Sequence, residues 1–264
     1  MTDFSPERCA GALLGARRVP RTVRRVLEPL SGAARPDTLQ DGIMAQRVLA
    51  RLCNVDIPAG FKIGATTTRM QDYLGVHGPI AGFMRRDDLH GSGSTLSYAP
   101  FLHPGVECEL AVHLAHDLPP GRCSAEAASQ AVDLVMAAIE VVENRYPDLT
   151  AFGTPTLVAD QMFHAAAVLG APTTEWRAMD LGAIQGTITV DGKECGTGTG
   201  AELLGHPWAA LAWLASSPEV AAFGGLRAGQ VVMLGSVTSP IWLDGPAEVE
   251  VRFDGLEPVS LTLA

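Results

Sequence analysis

The stretch Pro104–Leu114, Pro-Gly-Val-Glu-Cys-Glu-Leu-Ala-Val-His-Leu, constrains the fold more than any other part of the chain. Side chains on a strand alternate between faces. Cys108, Leu110, Val112 and Leu114 then share an apolar face suited to a core, and Glu107, Glu109 and Ala111 share the other. Two carboxylates side by side on a rigid element raise each other's pKa unless a cation lies between them. Oxygen ligands suit a hard divalent ion such as Mg²⁺ or Mn²⁺. The alternative reading of the pair is a solvated strand face.

A chain of 264 residues, 47% of them hydrophobic, can bury one large core with a minor appendage. The formal net charge of -10 gives no basis for binding a nucleic-acid backbone. The 5 cysteines, Cys9, Cys53, Cys108, Cys123 and Cys195, form no Cys-x-x-Cys pair. Reduced thiols in a cytoplasmic protein are therefore expected. No signal peptide and no membrane-spanning stretch is read in the sequence.

The first 57 or so residues read as helical. Ser5 and Pro6 open a first helix running to Leu14. Arg17, Arg18, Arg21, Arg24 and Arg25 form a basic patch, read as a solvated face or a subunit contact. Ser31–Pro36 is a breaker-rich loop. Thr38–Cys53 is an amphipathic helix with Ile43, Val48 and Leu52 as candidate core positions. A short strand at Ala59–Gly64 and a threonine-capped helical turn at Thr66–Tyr73 follow. Gly75–Ser97, rich in Gly, Pro and Ser, reads as a long functional loop or lid with short strands. Ser124 caps a helix to about Met136 that leads into a strand holding Ile139, Glu140 and Val141.

The second half reads as β-rich. Ile184–Val190 alternates, and Asp191-Gly192 is a hairpin turn. The glycines at 196, 198 and 200 lack the strand-then-helix setting of a dinucleotide fingerprint. Pro207 opens a helix with Trp208, Leu211 and Leu214 inward. Val231–Leu234 is a buried strand ending at Gly235-Ser236, and Val249, Val251 and Phe253 alternate with charged residues.

Glu140 is a third well-placed carboxylate. It shares a strand face with Ala138 and Val142, where an unpaired charge would be costly. Glu143 takes the other face and can pair with Arg145. Three glutamates around one ion leave coordination sites for water and substrate.

An ordered set of short words extends this pattern. It comprises Gly60-Phe61-Lys62-Ile63-Gly64, Met70-Gln71, Leu74-Gly75-Val76, Glu107-Cys108-Glu109, Ile139–Arg145, Val158-Ala159-Asp160, Leu204–Pro207, Gly229–Val232 and Gly235-Ser236. With these words the chain resembles the fumarylacetoacetate hydrolase superfamily, and within it the 2-keto-4-pentenoate hydratase and 4-oxalocrotonate decarboxylase group. The resemblance implies an α+β fold: a curved, partly closed mixed β-sheet or roll with outer helices. A helical N-terminal segment, residues 1–57, would precede a catalytic domain, residues 58–264. It implies Mg²⁺ or Mn²⁺ on Glu107, Glu109 and Glu140, and a lysine, Lys62, beside the substrate's keto group. Gly235 and Ser236 would hold the substrate carboxylate, with Gln71 as a further substrate-binding residue. A homo-oligomer is expected.

The chain also departs from that pattern. Ile80 stands where many hydratases carry an acidic residue, and Gln161, Met162 and Phe163 replace residues that are often Asn or small and polar. Leu234 replaces a frequent Thr. His164 is the candidate acid–base group that would compensate, with a packed structural histidine as the alternative. The leading expectation is hydration of a 2-hydroxy-2,4-dienoate to a 4-hydroxy-2-oxo acid. Decarboxylation of a vinylogous 2-oxo acid and acylpyruvate-type C–C hydrolysis are the alternatives within the superfamily. A non-catalytic 2-oxo acid-binding or assembly subunit is the alternative of another class, favoured by Ile80 and Met162.

Overall fold

The structure, a computed structural model, describes residues 3–18, 27, 30–148 and 152–264. Helices α1 (Pro6–Arg18) and α2 (Leu39–Leu52) precede β1 (Gly60–Gly64), α3 (Thr68–Leu74) and β2 (Ile80–Met84). Short strands β3 (Leu89–Gly91) and β4 (Ser94–Leu96) lead to the long strand β5 (Pro104–Leu114). Helix α4 (Ala125–Gln130), β6 (Val132–Glu143), α5 (Gly153–Ala159) and β7 (His164–Leu169) follow. The hairpin β8 (Gln185–Val190) and β9 (Lys193–Thr199) comes next, then α6 (Pro207–Ser216) and α7 (Pro218–Ala221). The chain closes with β10 (Val231–Ser236), β11 (Ile241–Trp242), β12 (Ala247–Phe253) and β13 (Val259–Leu263).

Two sheets result. The larger has the order β2-β1-β10-β5-β6-β7-β3, with β11 added on β5. Its β1–β10 and β3–β7 pairs are parallel and its other pairs antiparallel, so it is mixed, and it curls into a half-barrel. The second sheet has the order β4-β13-β12-β8-β9. The α+β class read from the sequence is therefore the observed one.

The apolar face predicted for β5 is the face that meets the main core. Cys108, Leu110, Val112 and Leu114 are fully buried, in one cluster with Ile188, Val249 and Val251 of the second sheet and Leu211 and Leu214 of α6. Truncating one such leucine to alanine costs about 2–5 kcal/mol. Ala111 faces the other way, into a smaller cluster with Met84, Met136, Ala138 and Met233. The long strands are thus covered on both sides, and on this second face Glu109 is buried and Glu107 half-buried.

Local chemistry explains most element ends. Thr38 and Asp41 form a reciprocal capping box at the start of α2, worth about 1 kcal/mol. Thr67 caps α3 by accepting from the Met70 N–H. Asp191 and Gly192 both have positive φ, 51° and 75°, as a tight hairpin turn requires.

Three expectations need correction. The helix from Ser124 stops at Gln130, and Val132 already belongs to β6. From Val135 to Glu143 the strand is buried on both faces, so most of it shows no period-two alternation to separate it from a helix. Leu52, in the last turn of α2, is 45% exposed and is not a core residue. The stretch from Gly75 to Ser97 is no lid: β2 within it is wholly buried and pairs along its length with β1. No helix among the described residues is long and apolar enough to cross a membrane.

Candidate active site

Strand register builds the site. Glu107 on β5 stands directly opposite Glu140 on β6, and Glu109 stands opposite Ala138. Same-face neighbours on adjacent strands lie close enough for direct side-chain contact. One carboxylate oxygen from each of Glu107, Glu109 and Glu140 lies within 4.8 Å of the other two. Glu109 and Glu140 are completely buried, and Glu107 is half-buried at the cavity.

Their electrostatics are strained without a cation. Burial and then the neighbouring Glu140 charge push Glu107 up to about 8. Burial, with Glu140 and Glu107 nearby, lifts Glu109 well above the carboxylate range, although the Gly235 N–H opposes this. Burial would also raise Glu140, but Lys62 and His164 outweigh it and hold Glu140 below its ordinary value. Glu109 Oε1 and Glu140 Oε2 are buried with no hydrogen-bond partner among the described residues. Three clustered carboxylates with free buried oxygens, and no sulfur or nitrogen donor, fit a hard divalent cation.

Lys62 reaches this cluster from β1. Its Nζ lies 3.1 Å from Glu140 Oε1 and donates to the Met162 carbonyl at 2.9 Å. Burial would lower the ammonium pKa, but Glu140, Glu107 and Glu109 reverse this and raise it. The side chain is 1% exposed, yet it lines the cavity beside Glu107.

Two cavities adjoin at Glu107, sharing Gly64, Ala65 and Met70 in their linings. One is polar, with Thr66, Thr67, Arg69, Ser236 and Thr238. The other is apolar, with Met70, Tyr73, Leu74, Met162, Phe163 and Trp242. Trp242 is held by stacking on His103, with ring centroids 4.8 Å apart.

The remaining expected site residues fall into different places. Gly235 donates its N–H to Glu109 Oε2 at 3.0 Å, so it serves a glutamate. Its φ is 106°, and a Cβ there would sit 2.5 Å from Thr66 Cγ2, so only glycine fits. Ser236 lines the polar side, its hydroxyl donating to the Cys108 carbonyl. Gln71 does not line either side and donates its amide to the Ala65 carbonyl. His164, expected as an acid–base group, also lies outside both linings. Its Nδ1 is 2.7 Å from Glu140 Oε1, and its buried Nε2 faces Asp88 at 3.9 Å. The physical reason is strand geometry: His164 on β7 lies nearly opposite Val142 of β6, next to Glu140 on the side away from β5. Ile80 is fully buried in β2.

Two pairings differ from expectation as well. Glu143 accepts from the Leu102 and His103 N–H groups rather than pairing with Arg145. Arg145 turns instead to Asp160, its Nη2 2.6 Å from Oδ2. Arg17, read as part of a solvated face or a subunit contact, is the second guanidinium on Asp160, at 2.7 Å. Arg18 is exposed, and Arg21, Arg24 and Arg25 lie outside the described residues. The sequence reading gave Asp160, Tyr73, Trp242 and Arg69 no role. Asp160 carried a signal through its place in the Val158-Ala159-Asp160 word, whereas the others carried none.

The comparisons with known proteins agree with this geometry. Residues 64–263 match the family model described as fumarylacetoacetate (FAA) hydrolase C-terminal. The chain is 34% identical to a 2-keto-4-pentenoate hydratase of Burkholderia vietnamiensis over 214 residues, 80% of each protein. It is 31% identical to a 2-hydroxyhexa-2,4-dienoate hydratase of Comamonas testosteroni, covering 87% of this chain and 86% of the relative. Among solved structures, 4-oxalocrotonate decarboxylase from Pseudomonas putida G7, complexed with magnesium and adipate, superposes with a TM-score of 0.84. That match covers 100% of both chains at 23% identity. The carboxylate-bearing curled sheet and the extent of these matches together place the chain in the fumarylacetoacetate hydrolase family.

Proposed function

We propose that this chain is a divalent-metal-dependent hydratase that adds water to a 2-hydroxy-2,4-dienoate of the 2-keto-4-pentenoate type, giving a 4-hydroxy-2-oxo acid. The observation that carries the reading is the junction of the three-glutamate cluster with the Lys62 ammonium at the floor of one cavity. The relatives above 30% identity named in the preceding section are hydratases of such acids. Glu107, Glu109 and Glu140 would hold Mg²⁺ or Mn²⁺. The ion would supply electrostatic stabilisation for negative charge developing on the substrate's 2-oxygen.

The chain's own groups divide the remaining work. Thr66 and Thr238 offer hydroxyls to the carboxylate end of the acid, with Ser236 beside them, and Arg69 adds a positive charge on the same side. The apolar side accepts the diene's hydrocarbon tail. An ammonium has three N–H donors. Glu140 and the Met162 carbonyl take two of those on Lys62, leaving the third for the cavity. Lys62 therefore gives a proton to carbon as the dienol becomes a 2-oxo group, and is reprotonated as the cycle closes. The proton leaving the 2-hydroxyl makes good the one that Lys62 gives to C5, and water then adds across C3–C4, its oxygen going to C4 and one of its protons to C3.

Decarboxylation uses the same charge development, but its dicarboxylate substrate carries a second carboxylate. Among the described residues, the apolar side holds no cation other than the Lys62 already paired with Glu140. We further propose a cytoplasmic homo-oligomer; a monomer mass by light scattering would contradict the assembly.

A substrate panel tests the reading. With Mg²⁺ or Mn²⁺ present, 2-hydroxypenta-2,4-dienoate should be consumed and the 4-hydroxy-2-oxo acid formed. Release of CO₂ from a 2-oxo dicarboxylate without hydration of the dienoate would overturn it in favour of decarboxylation. Cleavage of an acylpyruvate alone would favour hydrolysis, and binding of 2-oxo acids without turnover would favour a non-catalytic subunit.

A further inference from the structure

Three consecutive residues, Gln161, Met162 and Phe163, hold φ values of 54°, 49° and 66°. None is glycine, and L residues disfavour this region because Cβ crowds the backbone. A run of this kind persists only where the surroundings over-determine it. The segment matters to the site because the Met162 carbonyl accepts from Lys62 at 2.9 Å. Met162 and Phe163 also form part of the cavity's apolar side. Met162 leaves no slack: a Cβ on Gly64 would lie 2.5 Å from its Cγ.

What over-determines the segment is a buried ionic hub. Asp160 is fully buried. Its Oδ2 accepts from Arg145 at 2.6 Å and from the Tyr146 hydroxyl at 2.5 Å. Arg17, projecting from α1, donates to Asp160 Oδ1 from Nε and Nη2, and from Nη2 to the Asp160 carbonyl at 2.9 Å. Its Nη1 donates to Gln161 Oε1. The other end of that amide, Nε2, donates to the Phe83 carbonyl of β2 at 2.6 Å. One guanidinium fork therefore grips both the residue that precedes the left-handed run and the first residue within it. A planar fork has the geometry for this, and a lysine does not.

We infer that Arg17 and Asp160 are positioning residues for Lys62: helix α1, through this fork, sets the left-handed run whose Met162 carbonyl fixes the lysine ammonium in the site. Arg17 precedes residues 64–263, so this support comes from outside the stretch matched by the family model. The inference takes the role of Lys62 from the proposed hydratase reading, but its structural content does not depend on the reaction.

The chain contains only two lysines, Lys62 and Lys193, which makes the test direct. Lys193 is exposed at the β8–β9 hairpin and serves as an internal reference. In Mg²⁺-loaded protein labelled with ¹⁵N-lysine, Lys62 should give an ammonium signal protected from solvent exchange, and Lys193 should not. In Arg17→Met the Lys62 signal should shift and exchange faster. The value of kcat on the dienoate should fall about tenfold to a hundredfold, the scale of a misplaced catalytic group. KM and Mg²⁺ affinity should stay within about twofold of the parent, because the glutamates and the polar side of the cavity are untouched. Arg17→Lys keeps the charge without the fork and should recover only part of the loss; it also replaces Arg17→Met if that variant does not fold. An unchanged Lys62 signal in the folded variant would overturn the proposal, as would kcat, KM and metal affinity failing together. If the parent does not hydrate the dienoate, the hydratase reading fails alone, and the ammonium signal still decides the positioning.

Discussion

Glu107 and Glu140 face each other across the β5–β6 pair, directly opposite in register, with Glu109 one step along the same face. The ordinary effect of such a pairing is destabilising, since like charges opposite one another on a sheet repel. Here it is fixed at the centre of a mixed sheet and buried. The arrangement makes chemical sense once a divalent cation is the shared partner.

Removing one ligand should show this. Glu107→Gln keeps the shape and loses the charge, and should weaken Mn²⁺ binding and abolish turnover while the fold persists. Calorimetry reads the affinity; equal affinity in variant and parent would contradict the assignment.

Lys62→Met keeps much of the stem and removes the ammonium. Metal binding should persist while kcat falls about a hundredfold or more, the scale of a lost acid–base group. Steady-state kinetics beside calorimetry separates the two, and unchanged turnover would make Lys62 a structural residue only.

His164 is placed to orient Glu140 rather than to face the cavity. His164→Ala should lower Mn²⁺ affinity about tenfold, as losing a partner of a metal ligand commonly does, and lower kcat with it. His164→Asn retains an N–H for Glu140 and should recover much of both. Calorimetry and kinetics on the two variants distinguish the roles. A loss of rate alone, unrecovered by Asn and with one ionisation missing from the pH profile, would instead make His164 the acid–base group.

Asp160 supplies a prediction for stability against pH. Burial would raise this carboxyl, but Arg145, Arg17 and the Tyr146 hydroxyl hold it below its ordinary 3.8. A carboxyl whose pKa is lower when folded stabilises the protein fully above the unfolded value, and the contribution fades as pH falls through the folded value. Asp160→Asn should therefore lower Tm at neutral pH, with the gap from the parent narrowing below about pH 4. A gap that stays constant from neutral pH through that range would contradict the hub's charge.

The part of the site that sequence made legible was the part set by local pattern. Strand alternation put Glu107 and Glu109 on one face, and the same rule put Glu140 on a face of β6. The threonines before Met70, Pro207 and Asp191-Gly192 marked element ends because capping and turn chemistry act within a few residues. Other features escaped for identifiable reasons. Strand β6 is buried on both faces from Val135 onward, so its pattern did not alternate clearly enough to mark where the helix before it stops. The Arg17–Asp160 pair spans 143 positions in the chain. Both partners sat in stretches already read differently, a solvated face or subunit contact and a family word. The left-handed run at Gln161–Phe163 contains no glycine, so nothing in its composition announced it. The place of His164 depended on the β6–β7 register, which tertiary pairing decides.

Hydration of the dienoate, as proposed, requires the cation that the three glutamates would hold. The most direct measurement follows 2-hydroxypenta-2,4-dienoate with protein stripped of metal by chelator, before and after Mg²⁺ or Mn²⁺ is restored. The stripped protein should show no turnover, and restoring the ion should bring full recovery, with the 4-hydroxy-2-oxo acid as product. Equal turnover before and after, or recovery in the Glu107→Gln variant at the same metal concentration, would contradict this requirement.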